Sequence, residues 1–260
     1  FNFATPYENS LTVGMLAALA AVCCGLRYVE KATPRRAVAT GVCLGLAFLT
    51  KPEVFLAGAA GVVVAWIAMA RMAGWSGAQF RGAFGVALAG FLIPLLISVL
   101  TLATAMPLAT AVAGSLGSWS ALLGSSTSDL LFYRSGMGTD DLLGNLGRML
   151  AVSAVWSALA GCALLAGRLG RGSKGPGAGL LLALLVLGGL WVVVPLPLWQ
   201  AAVRPLPLAM LWFAGLAVAA LRRAAGDQAA VKLAVARLSI AVFAGVLLLK
   251  MALNARVGHY

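Results

Sequence analysis

Long uninterrupted apolar runs, separated by short stretches of charge, glycine and proline, set the pattern of this chain. Each run approaches the roughly 20 residues that an α-helix needs to cross about 30 Å of hydrocarbon. The runs predict about eight spans, near Ser10–Leu26, Ala37–Leu49, Glu53–Ala70, Gly82–Met106, Leu146–Ala166, Gly179–Trp199, Pro205–Ala220 and Leu238–Leu253. The expected fold is all-α: a polytopic transmembrane bundle with one long extracytoplasmic loop over Pro107–Asn145. That loop, with its Gly-Ser and Trp-bearing stretches, is too apolar for a linker and predicts short helices at the interface.

Composition agrees with the pattern. Of 260 residues, 62% are hydrophobic and 10% charged, where a soluble domain carries roughly 25% charged residues. The formal net charge of +12 changes the picture through its placement. Arg27, Lys31, Arg35 and Arg36, then Arg71 and Arg81, then Arg168, Arg171 and Lys174, then Arg222, Arg223, Lys232 and Arg237 fall in alternate connections, and make up 13 of the 19 basic residues. Basic connections stay cytoplasmic, so these are expected inside. Lys51, Arg134, Arg148, Arg204, Lys250 and Arg256 are expected outside with five of the seven acids, and both ends of the chain are expected to be extracytoplasmic. The positive charge thus serves topology, and no nucleic-acid partner is expected. Cys23, Cys24, Cys43 and Cys162 lie inside apolar runs and read as small buried hydrophobes, with no metal-ligand spacing and no cofactor motif. Phe1 is no initiator, and the Gly258-His259-Tyr260 end is abrupt, so the chain is expected to be an internal piece of a longer polypeptide.

The most informative local sequence is Gly41 to Glu53, where a short run ends at Thr50-Lys51-Pro52-Glu53. Thr50 and Glu53 have capping-box spacing, and Pro52 suits a first helical turn, so a new helix is expected to start here. Lys51 would then sit beside the positive end of a helix dipole, where a cation and free N–H groups together receive a lipid phosphate. The alternative is a snorkelling lysine beside an ordinary cap. Glu8, Tyr133, Arg134, Asp140, Asp141, Arg256 and His259 are further candidates on the outer side, each with a plain alternative as a cap, an interfacial anchor or a solvated charge. In particular, Thr139-Asp140-Asp141 reads as an N-cap and first turn. Trp66, Trp75, Trp156, Trp191, Trp199 and Trp212 read as an aromatic belt.

The stretch Gly45-Leu-Ala-Phe-Leu-Thr-Lys-Pro52 resembles a segment of the polyprenyl-phosphate-sugar-dependent glycosyltransferases of the GT-C class. That class includes the family 39-like protein O-mannosyltransferases and the lipid A aminoarabinose transferase. Asn2-Phe-Ala-Thr-Pro-Tyr-Glu8 and Lys250-Met-Ala-Leu-Asn-Ala-Arg-Val-Gly-His-Tyr260 are similar to bacterial members. The resemblance implies a bacterial inner-membrane enzyme that moves a sugar from a polyprenyl-phosphate donor to an acceptor outside the cytoplasm. It further implies Glu8 as a catalytic carboxylate, Lys51 and Arg256 as phosphate ligands, and Tyr133, Arg134, Asp140, Asp141 and His259 as the substrate loop. The main catalytic acid of the class would precede Phe1. A transporter or flippase and a noncatalytic scaffold remain as other readings. Span centres nearly free of ionisable groups argue against the first.

Overall fold

The computed structural model describes residues 6–117, 119, 134, 138–169, 203–224 and 226–253. Among them the regular structure is helical: α1 Pro6–Glu30, α2 Pro34–Thr50, α3 Pro52–Ala73, α4 Gly77–Ala103, α5 Leu108–Ser115, α6 Leu142–Leu169, α7 Leu206–Arg223 and α8 Gln228–Leu253. Five stretches are long and apolar enough to cross a membrane: Ser10–Glu30, Pro52–Met72, Gly77–Ala103, Leu206–Arg223 and Gln228–Leu253. The expected span Gly179–Trp199 lies outside the described residues. The chain divides into two units, residues 1–130 with 209–247 and residues 131–208 with 248–260.

Packing in the first unit is inverted relative to a soluble bundle. On α4 the buried positions are Ala83, Ala87, Gly90 and Pro94, whereas Leu92, Ile93, Leu96, Ile97 and Leu100 are exposed. On α1 the buried positions are mostly small, with Ala17, Ala18 and Ala21 among them, and Val13, Leu16 and Leu19 face out. Small residues inside and large apolar residues outside is the arrangement lipid favours: tails solvate leucine as well as the protein interior does, and close backbone approach drives association. This is a membrane protein.

Close approach is most severe between α2 and α4. A Cβ placed on Gly41 would collide with the Ala87 carbonyl, one on Gly45 with the Phe91 carbonyl, and one on Gly90 with the Val38 carbonyl. The small-xxx-small spacing of Gly41 and Gly45 therefore has a structural use. The register pairs 38 with 90 and 45 with 94, so the two helices run parallel. Helices α1 and α3 also run parallel: Gly58 lies against Ala18, and Gly25 against Val62 and Trp66. The Trp66 indole donates to the Gly25 carbonyl at 3.2 Å. On α8, buried Ser239 donates to the Gly61 carbonyl at 2.9 Å, an interhelical bond of the kind membrane bundles use.

These directions put the α1–α2 and α3–α4 turns at one end of the four-helix group and the α2–α3 break at the other. The first end carries Arg27, Lys31, Arg35, Arg36, Arg71 and Arg81, matching the expected charge alternation there. Arg36 also closes α1, donating to the carbonyls of Arg27 and Lys31. Ser76 and Gln79 form a full capping box on α4, and the Asp227 carboxylate accepts from the backbone N–H groups of Ala229 and Ala230 to start α8.

Several sequence expectations change. Span two is longer than expected because Pro34 occupies its first turn, which draws Arg35 and Arg36 out of the connection and into the helix. Trp66 is 2% exposed and belongs to the core, against Tyr28 at a centroid distance of 5.0 Å; a tryptophan at an interior contact can satisfy its N–H on a carbonyl rather than at the lipid interface. Trp212, by contrast, is 69% exposed on α7. Cys23 is exposed rather than buried, because it falls on the outer face of α1.

The α2–α4 contact predicts that Gly41→Leu lowers stability by about 1–3 kcal/mol or more, since a rigid backbone carbonyl cannot yield. Gly85→Leu, on the same α4 but with open space at its Cβ, is expected to be neutral. Thermal unfolding midpoints in detergent micelles check the pair.

Candidate functional site

Lys51 is the hinge between two helices. It ends α2 and is the N-cap of α3 in extended conformation, with φ −142° and ψ 129° and its N–H returned to the Ala47 carbonyl. Pro52 follows, where its missing N–H costs nothing. The expected capping box is absent: Lys51, not Thr50, is the cap residue, and it makes no side-chain cap bond. The Thr50 hydroxyl instead donates back to the Ala47 carbonyl at 2.6 Å. A threonine hydroxyl competes for carbonyls of its own preceding turn, and spacing alone does not settle which way it turns. Glu53 lies in the first turn of α3, where a carboxylate is favoured by the dipole. Both Lys51 and Glu53 have partners.

Lys51 is only 9% exposed, so it does not snorkel to water. Aromatic rings cluster at the same α2–α3 junction. Phe48 lies one turn before it and Phe55 one turn after, packed edge to face at 5.2 Å, with Phe91 of α4 at 5.3 Å from Phe48. Trp119, from within the expected outer loop, stacks on Phe48 at 4.6 Å and meets Phe55 at 5.6 Å. Its indole N–H donates to the Phe48 carbonyl at 3.1 Å. Helix α5 folds back beside α4, with the Ser98 and Ser115 hydroxyls 3.0 Å apart. The first part of the long loop therefore closes over the Lys51 end of the first unit. Sequence reasoning had no signal for this cluster beyond the presence of a tryptophan in an apolar loop.

The second unit builds a separate polar cluster. Asp141 caps α6: its carboxylate accepts from the Gly144 N–H at 3.1 Å. Thr139, the expected cap, instead directs both its N–H and its hydroxyl at the Arg134 carbonyl. Asp141 also pairs with Arg148 at 3.4 Å, both side chains 47% exposed. Buried Asn145 donates to the Gly138 carbonyl at 3.0 Å and accepts from Arg148 at 3.3 Å. Gly138 has φ +69°, and a Cβ there would strike the backbone of Leu253 at the end of α8, so both conformation and space demand glycine. Arg204, just before α7, is 2% exposed, and its Nε and Nη1 have no hydrogen-bond partner. Burial, then the charge of Arg148, push its guanidinium below the ordinary value.

Of the expected site residues, Lys51 falls in the first unit, and Arg134, Asp140 and Asp141 in the second. Arg134 is exposed and Asp140 half-buried with a partner. Glu8 lies in the first turn of α1, its side chain outside the described residues, as are Tyr133, Arg256 and His259. Asn145 and Arg204 were not expected. Arg204 had one weak sign, a lone arginine among Val203, Pro205 and Leu206. Among the described residues no three metal-ligating side chains converge. Comparison with protein-family models, curated proteins and solved structures finds no match.

The cap predicts that Asp141→Ala lowers stability by about 1 kcal/mol. Asp141→Asn keeps an acceptor for the Gly144 N–H and loses only a half-exposed ion pair of little worth. It is expected to stay near wild type in the same thermal assay.

Proposed function

We propose that this protein transfers a sugar from a polyprenyl-phosphate donor to an acceptor at the extracytoplasmic face of the membrane, with Lys51 as a ligand of the donor phosphate. The observation that carries this reading is the burial of Lys51 at the N-terminus of α3. Placing an ammonium group beside the positive end of a helix dipole works against folding, and burying it adds desolvation. A phosphate at this end would be favoured by the cation and by helix N-terminal N–H groups together.

The aromatic cluster adds to the same reading. Phe48, Phe55, Phe91 and Trp119 pack together where α2 ends and α3 begins, a surface suited to the first isoprene units of a carrier or to the face of a sugar ring. The end opposite Lys51 is the basic one, and basic connections stay cytoplasmic, which supports an outer-leaflet position for Lys51. The resemblance of Gly45–Pro52 to the GT-C class supplies the reaction: an acceptor hydroxyl attacks the anomeric carbon, its proton passes to a carboxylate base, and the carrier phosphate departs. Glu8 is the candidate carboxylate within this chain. Lys51 would hold the departing phosphate, whose negative charge grows as the glycosidic bond breaks.

The test is transfer by the whole protein in proteoliposomes supplied with radiolabelled polyprenyl-phosphate sugars. A charged hydrogen bond contributes about 1.5–3 kcal/mol, so Lys51→Ala is expected to reduce transfer roughly ten- to a hundredfold, with Lys51→Arg retaining more. Transfer unchanged by Lys51→Ala would remove the phosphate role. Labelled lipid crossing the bilayer without any glycosylated product would move the protein to the flippase reading.

A further inference from the structure

Arg204 is the least compensated charge among the described residues. It is almost wholly buried, two of its three guanidinium nitrogens have no hydrogen-bond partner, and a second guanidinium, that of Arg148, is close enough to act on it electrostatically. Buried charges are normally paired and fully hydrogen-bonded, and an unpaired one is strongly destabilising. No acid in its own unit relieves it. The segments 131–208 and 248–260 contain only two acids, Asp140 and Asp141. Asp141 is occupied by the α6 cap and by Arg148, and no carboxylate is among the groups that act on Arg204.

The surroundings are otherwise built. Asn145 fixes the Gly138 turn with one end of its amide and receives Arg148 with the other, so the second guanidinium is held from two sides, by Asn145 and by Asp141. Gly138 seats this turn against the end of α8. The fold thus lets one arginine act electrostatically on another and pairs only Arg148 with a carboxylate, the half-exposed Asp141.

We propose that Arg204, with Arg148 held by Asn145 and Asp141, forms a binding site for a phosphate-class oxyanion. Guanidinium groups match phosphate oxygens in geometry and remain charged when desolvated. A phosphate offers enough oxygens to meet the unpaired N–H donors of Arg204 while facing Arg148. A backbone carbonyl would satisfy a donor and leave the charge. The phosphate has two possible sources, the head of an isoprenoid lipid or free phosphate. The inference uses only charge and burial in the second unit, so it stands apart from the role given to Lys51.

The experiment uses the whole protein in dodecyl maltoside, a phosphate-free detergent, with binding and thermal stability measured for inorganic phosphate, geranyl phosphate and acetate. Wild type is expected to bind and be stabilised by a phosphate ligand and not by acetate. Geranyl phosphate binding at least tenfold tighter than inorganic phosphate identifies a lipid source; equal affinities identify free phosphate. Arg204→Gln is expected to weaken binding at least tenfold, with Arg204→Lys intermediate. Arg204→Met removes the unpaired charge, so without anion it is expected to be as stable as wild type or more so, and to gain nothing from phosphate. Unchanged affinity in Arg204→Gln, or stabilisation by acetate equal to that by phosphate, overturns the proposal. So does an Arg204→Met variant that is folded, anion-responsive and indistinguishable from wild type. Because no sugar transfer is measured, failure here leaves the transferase reading to its own assay.

Discussion

Close packing of α2 against α4 is the constraint on which the first unit depends. In lipid, apolar side chains gain nothing from facing inward, and helices hold together where backbones approach closely or polar groups pair. Gly41, Gly45 and Gly90 permit that approach, and its consequence lies a few residues further on. It brings Phe91 of α4 to Phe48 of α2, so the end of α2 meets an aromatic surface rather than open lipid. Lys51, at the break, is 9% exposed.

The α2–α3 break then combines features that seldom coexist. It has a cation, the start of a helix, a proline in the first turn and an aromatic cover recruited from about 70 residues away in sequence. Each has an ordinary explanation alone. Together they place a charge where the dipole and the dielectric both oppose it, and such placements mark functional sites more often than structural ones. In the second unit Arg204 is also buried, and there two guanidinium nitrogens have no hydrogen-bond partner.

Much of the fold was legible in the sequence because hydropathy and proline act locally. The runs now seen as α1, α3 and α4 were found with ends off by up to five residues, whereas α8 begins ten residues before the expected Leu238 and takes Lys232 and Arg237 from the connection into the helix; Pro34 and Pro52 mark helix starts as their fixed φ requires. Less of the site was legible, for three physical reasons. Side-chain hydroxyls choose between caps on local geometry, so Thr50 turned backward and Asp141 capped in place of Thr139. Burial is a tertiary property: nothing in the Phe48–Phe55 sequence tells that Trp119 stacks on it, and nothing in Val203-Arg204-Pro205 tells that two guanidinium nitrogens lack a partner. Indole position is tertiary too, which is why Trp66 entered the core while Trp212 faces out.

The central proposal is that a carrier phosphate sits at Lys51, at the junction of α2 and α3. An electron cryo-microscopy map of the protein with a non-hydrolysable polyprenyl-phosphate sugar tests it most directly. The account predicts phosphate density within hydrogen-bonding distance of the Lys51 ammonium, with the isoprenoid chain leaving along Phe48, Phe55 and Trp119. Ligand density elsewhere, with the Lys51 ammonium contacting protein groups alone, would contradict it.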